Sequence, residues 1–287
     1  MQYVVRGKGA SLTKTLAAML FAAIGLSACG GGDDGGGASS NASAGGTAAV
    51  PAPAQSRVKI EGQSQSVLAA NGYLQIVFPP VASSNYGSLV GDSVYGRIEE
   101  ASLKQDAPGV YTKFSEMATL VAGTVTDLAG NGQFAIGRWT NGNDSRGNTY
   151  NANQGRLWAL GTPVSVALAA NQSLTCSLAA ATRPFAVDGN TAPGALTGAS
   201  AKVYPNPAMP TSVVYDLTFQ YSIGSDTPRN VTLAALPVGL GMSRVNQYQV
   251  MSQFGGADAA KPYLLVAYTV QAPTAGAIAG VAALSCS

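Results

Sequence analysis

Val213-Val214-Tyr215-Asp216-Leu217-Thr218-Phe219-Gln220-Tyr221-Ser222 decides the fold class. Val213, Tyr215, Leu217, Phe219 and Tyr221 share one face of an extended chain. Asp216, Thr218, Gln220 and Ser222 share the other, with Val214 the exception, and a period of two belongs to a half-buried β-strand. Working outward, comparable patterns occupy 57–61, 73–78, 93–103, 119–127, 133–140, 156–161, 173–180, 195–204, 230–236, 244–253, 263–271 and 277–286. Turn-forming steps separate them, among them Asn131-Gly132, Asn141-Gly142, Asp188-Gly189-Asn190 and Pro205-Asn206-Pro207. Asn-Gly supplies the positive φ that tight hairpins require. Only Tyr111 to Val121 competes as a short helix, with Phe114, Met117, Ala118 and Val121 at helical spacing. The expected fold is all-β: an antiparallel meander closing into a barrel of roughly eight strands, with additional N-terminal strands, after a disordered tether.

The tether and what precedes it lie at the other end of the chain. Arg6, Lys8 and Lys14 form a basic start without an acidic residue, and Leu16 to Leu26 is an uncharged apolar run. That run is too short to cross a hydrocarbon core of about 30 Å as a helix at about 1.5 Å per residue. It reads as an export signal, removed rather than retained. Leu26-Ser27-Ala28-Cys29 then resembles the lipobox of bacterial lipoproteins. The resemblance implies cleavage before Cys29, a diacylglycerol thioether on its sulfur, usually an acylated amine, and an anchor in place of a spanning helix. Gly30 follows the cysteine, which in the sorting pattern this resembles favours the outer membrane, lipid-anchored at its periplasmic face or the cell surface. From Gly30 to Ser56 the chain has almost nothing to bury, and a coil of that length reaches on the order of 30 Å. The expected organisation is a signal peptide at 1–28, a lipidated Cys29 and flexible linker at 29–56, N-terminal strands at 57–130 that are handle-like or part of the same domain, and a barrel domain at 131–287.

Composition narrows the function. Of the 16 Lys and Arg, three belong to the signal, so 13 face 14 Asp and Glu in the mature chain, a formal charge of −1. No basic cluster remains to neutralise phosphates, and no nucleic-acid partner is expected. Charged residues make up 10% of the chain, against about a quarter in ordinary domains, as in export-adapted β proteins solvated by hydroxyls and amides. There is no histidine. Ser-His-Asp and Cys-His nucleophile systems and His-ligated metal sites are thereby excluded, and no cofactor, metal or enzymatic activity is expected. With Cys29 taken up by lipid, Cys176 and Cys286 form one intramolecular disulfide or stay as two buried thiols.

A second resemblance begins at Phe134-Ala135-Ile136-Gly137-Arg138-Trp139 and continues through Leu157-Trp158, Gly161-Thr162-Pro163 and Leu174-Thr175-Cys176-Ser177-Leu178. Thr182-Arg183-Pro184 and Pro193-Gly194-Ala195-Leu196-Thr197-Gly198-Ala199 complete it, before an aromatic-ended strand at Tyr204. Order and spacing resemble the C-terminal β-barrel of transferrin-binding-protein-like lipoproteins and the similar barrel of some FecR-type proteins. The resemblance implies a displayed, non-enzymatic binding module. Trp139 and Trp158 are expected to fill the core, with Arg138 pointing outward because strand neighbours face opposite ways. The polar loop Thr140 to Gln154 is longer than a hairpin needs, so Asn141, Asn143, Asp144, Arg146, Asn148 and Tyr150 are the candidate binding residues. The partner is an unidentified protein or small molecule. The alternative is a calycin-like carrier with a small apolar ligand inside the barrel.

Overall fold

The computed structural model describes residues 57–79, 95–239 and 241–287. The expected signal, Cys29 and the tether lie outside these residues. Within them the chain is all-β, in two antiparallel-rich sheets. The first contains β1 (Val58–Gly62), β2 (Tyr73–Val77), β3 (Tyr95–Glu99), β4 (Leu103–Ala107), β5 (Val110–Phe114), β6 (Ala118–Gly130), β7 (Phe134–Asp144), β8 (Thr149–Tyr150) and β9 (Arg156–Gly161). Its order is β3-β2-β9-β7-β6-β5-β4, with β1 alongside β6 as a parallel strand and β8 on β7. The second contains β10 (Leu174–Ala181), β11 (Phe185–Ala186), β12 (Ala195–Asn206), β13 (Met209–Ile223), β14 (Asp226–Pro237), β15 (Ser243–Val245), β16 (Tyr248–Gly255), β17 (Tyr263–Ala272) and β18 (Gly276–Cys286). The order β14-β13-β12-β10-β18-β17-β16-β15 makes an eight-stranded, nearly closed barrel, with β11 paired to β18.

Three apolar clusters explain why the sheets sit where they do. Inside the barrel, Tyr215, Leu217, Phe219 and Tyr221 of β13 meet Leu264, Val266, Tyr268 and Val270 of β17. On one face of the first sheet, Phe114 of β5 stacks on Trp139 of β7 at 5.2 Å, with Tyr111 edge-on to Trp158. Trp139 Nε1 donates to the Tyr111 carbonyl at 2.8 Å, which satisfies its polar edge. Gly137 lies opposite Trp158 in the ladder, and a Cβ there would collide with the indole. Between the sheets, Phe134, Ile136, Leu157 and Ala159 pack on Leu265, Ala267, Val281 and Ala283. The outer faces of β17 and β18 are therefore covered by β7 and β9, and all four strands are buried on both faces.

Several expectations are corrected. Tyr111 to Val121 is not a helix: β5 ends at Phe114, Ser115 turns at φ +49°, Met117 N–H returns to the Phe114 carbonyl, and β6 begins. Helical spacing there arises because the end of β5 and the start of β6 bring Phe114, Met117 and Ala118 to one core, while Val121 is exposed. The stretch 93–103 breaks at a 3₁₀ turn, Glu100–Ser102, and 244–253 breaks at Asn246 (φ +54°), where Val245 and Tyr248 pair across a hairpin. The change of sheet lies further along the chain than 130/131. β7 and β9 hydrogen-bond to each other and to β6 and β2, and the crossing to the barrel falls between Gly161 and Leu174.

Cys176 and Cys286 are joined as a disulfide. They stand directly opposite on β10 and β18 with Cα atoms 4.0 Å apart, in the close, non-hydrogen-bonded type of antiparallel pair. Thr175 and Ser287 exchange both backbone hydrogen bonds beside them. The bond bridges 110 positions and fastens the last strand to the first long strand of the barrel.

Candidate functional site

The loop between β7 and β9 is built around one carboxylate. Asp144 is 2% exposed. Its Oδ1 accepts the backbone N–H of Arg146 (2.9 Å) and Asn148 (3.1 Å), and the Asn148 amide donates to both oxygens at 3.1 Å. Oδ2 accepts the Tyr150 hydroxyl and Arg156 Nη2 at 2.8 Å. Burial alone raises the carboxyl's pKa, but the Tyr150 hydrogen bond, the Arg156 charge and the Asn148 amide outweigh it and leave it lowered. Burial and the adjoining carboxylate push the Tyr150 hydroxyl upward, so it stays a donor. Arg156 in turn lies over the Trp139 ring at 5.9 Å, which ties the loop to the aromatic core.

The neighbouring residues are fastened in the same way. Asn141 adopts φ +50° and gives its N–H to the Asn151 carbonyl. Asn143 is a ladder residue, opposite Thr149 on one side and Ala122 on the other. Arg146 Nε donates to the Met117 carbonyl at 2.7 Å. The Thr140 hydroxyl lies within 2.8 Å of the Asn151 and Gln154 carbonyls. Asn151 and Asn153 donate to the Gly189 carbonyl, and Gln154 donates to the Val187 carbonyl at 3.2 Å. Gly189 is at φ +71°, with no room for a Cβ against the Asn151 and Gln154 side chains.

These latches leave an open cleft of about 340 Å³ between the β7–β8 turn and the turn that follows β11. Gly147, Asn148, Thr149, Tyr150 and Gln154 form one wall, and Val187 and Asp188 form the other. Of the six residues expected to bind, Asn148 and Tyr150 line it. Asn141, Asn143 and Arg146 hold backbone around it, and Asp144 is its buried support. Thr149, Gln154, Val187 and Asp188 went unselected. Asp188-Gly189-Asn190 reads in the sequence as a turn, and no local pattern tells that it folds against a loop 36 to 38 residues away.

Arg138 is also corrected. It is 1% exposed and faces the barrel, because the side of β7 expected to be wet is covered. Asp127 (φ +54°, in an irregularity of β6) forms an ion pair with Arg138 Nε, 2.9 Å from one oxygen, and accepts a hydrogen bond from Arg183 Nε at 2.7 Å on the other. Arg183 belongs to the segment between β10 and β11, so this carboxylate bridges the two sheets. The Arg138 guanidinium lies 5.7 Å from the Phe185 ring centre.

Core side chains of β12, β13, β17 and β18 line a small cavity inside the barrel. The cavity bounded by Leu196, Ala199, Leu217, Phe219, Val266, Tyr268, Ala282 and Leu284 measures about 10 Å³, room for a single water and far below the roughly 300 Å³ of small-ligand pockets. That cavity has no room for the apolar cargo of the calycin-like alternative. Among the described residues no group of three or more Cys, Asp or Glu could hold a metal ion, and no helix is long and apolar enough to cross a membrane. The chain matches no family model, no curated protein and no solved structure.

Proposed function

We propose that this chain is a lipid-anchored, non-enzymatic binding module of the outer membrane, carried on Cys29 and presenting the β7–β9 loop as its recognition surface. The observation that carries the binding half is the loop itself. Fourteen polar and small residues between Thr140 and Gly155 are held in one shape by a buried Asp144 hub and by latches to a second loop, and a polar cleft is left open between them. Preorganisation of that kind lowers the ordering cost of association. The anchoring half is supported by the Leu26-Ser27-Ala28-Cys29 motif after a basic, then apolar, start. The likeness of the Gly137-Arg138-Trp139 to Tyr204 motif series to the transferrin-binding-protein-like barrels points the same way.

Metabolic labelling with a radioactive or alkyne-tagged palmitate tests the anchor. The wild-type protein takes up label and fractionates with the outer membrane. Cys29→Ala accumulates as unlabelled precursor, and continued labelling of that variant would remove the anchor from the proposal. Protease treatment of intact cells separates display on the surface from a periplasmic orientation, since only a surface protein is cleaved without permeabilisation.

A further inference from the structure

We infer that the cleft between Gly147–Tyr150 and Val187–Asp188 takes a neutral, polyhydroxylated ligand, a short glycan or the end of one. The inference rests on the reading of this loop as a binding surface and names the chemistry it would recognise. At about 340 Å³ the cleft lies at the small end of the pockets that hold small molecules, and it sits where two sheets meet.

The free polar groups decide the class. Among the described residues, the Thr149 hydroxyl and the side-chain carbonyl oxygens of Asn148 and Gln154 have no protein partner, while the amide ends of Asn148 and Gln154 are committed to Asp144 and to the Val187 carbonyl. The cleft thus offers uncharged acceptors and one hydroxyl that both donates and accepts. Ligand hydroxyls, which donate and accept in turn, match that set. An apolar ligand would desolvate those oxygens without replacing their water, at a cost for each. An anion would meet Asp188 at the rim and no uncommitted cation, since Arg156 is buried against Asp144 and Arg146 reaches away to the Met117 carbonyl. A calcium ion would find one carboxylate, and both Asp188 oxygens already accept from Asn190.

The test uses the full chain and four probe sets, read by titration calorimetry. These are neutral di- to tetrasaccharides of hexoses and N-acetylhexosamines, their sialylated and sulfated counterparts, laurate, and calcium chloride. Thr149→Trp fills the cleft from an exposed ladder position, and Thr149→Val removes only the hydroxyl. Ser200→Trp, on the exposed outer face of β12, controls for added indole surface, and the thermal midpoint of each variant controls for folding. The expected result is binding of at least one neutral oligosaccharide, weakened about tenfold or more by Thr149→Trp, several-fold by Thr149→Val, and unchanged by Ser200→Trp. Binding of a charged probe or laurate that Thr149→Trp abolishes would overturn the glycan assignment and leave the cleft as the recognition site. If no probe binds in a manner sensitive to either Thr149 variant, both the glycan assignment and this placement of the recognition surface fail.

Discussion

A carboxylate sealed from water is stable only if its lone pairs are filled, and Asp144 meets that condition with six donors drawn from four residues. Its lowered pKa makes it a stability term with a definite sign. In the unfolded chain the carboxyl titrates near the ordinary value of about 3.9; in the folded protein it holds its charge to lower pH. The stabilisation is therefore complete above about pH 4 and is lost as pH falls through the depressed folded value. Urea midpoints measured from pH 6 downward should decline steeply below about pH 4 in the wild type and more shallowly in Asp144→Asn. Asp144→Ala, which strands Arg156 in the interior, should cost about 3–5 kcal/mol at neutral pH. Equal slopes for wild type and Asp144→Asn would show that Asp144 does not carry the acid sensitivity. At this scale the sequence misleads in an instructive way. Arg138 reads as wet because alternation assumes one solvated face, and Asp144 because it stands in a polar loop, whereas both are among the most buried charged residues described.

The strands themselves carry the clue that single residues lack. β12 to β14 alternate, and their outward residues Ser200, Thr218 and Thr232 are exposed on neighbouring strands in register. β17 and β18 instead run Leu264-Leu265-Val266-Ala267-Tyr268 and Val281-Ala282-Ala283-Leu284, unbroken and apolar, because one face lines the barrel and the other meets β7 and β9. The strand class and most boundaries were legible from alternation. The pairing of continuous runs across two sheets was not, since it depends on contacts more than a hundred residues apart. The same distance separates the cysteines, and burial at a directly opposed pair is what brings them together. Replacing both, Cys176→Ala with Cys286→Ala, releases β18 from β10 and should lower unfolding stability by about 2–5 kcal/mol, with no free thiol detected in the folded wild type from either position. A reductant should shift the wild type toward the variant's urea midpoint and leave the variant where it is. No effect of reductant on the wild type would place the backbone hydrogen bonding of β10 and β18, rather than the covalent bond, in charge of the C-terminus.

The described residues form two β sheets that share an apolar interface, and Asp127 is a charged group that crosses it. Its two arginines are not equivalent. Arg138 is buried and Arg183 is about half exposed at 54%, so water can replace what Arg183 gains from the carboxylate but not what Arg138 gains. Arg183→Ala should therefore change stability by no more than about 1 kcal/mol, the range of exposed pairs. Asp127→Ala removes the carboxylate that Arg138 faces between the sheets and should cost about 3–5 kcal/mol. The positions of the two tryptophans allow a sharper test, because Trp139 and Trp158 are the chain's only ones and both lie in the core of the first sheet. Their fluorescence follows that sheet, whereas far-UV circular dichroism follows all strands, including a barrel held by its own disulfide. The two signals should share one urea midpoint in the wild type and in Arg183→Ala, since the common interface makes the layers unfold together. In Asp127→Ala the fluorescence midpoint should fall below that of the dichroism, as the first sheet loosens before the barrel. Coincident midpoints in that variant, with a loss under about 1 kcal/mol, would mean that the apolar contacts of Phe134, Ile136, Leu265 and Val281 couple the layers without the ion pairs.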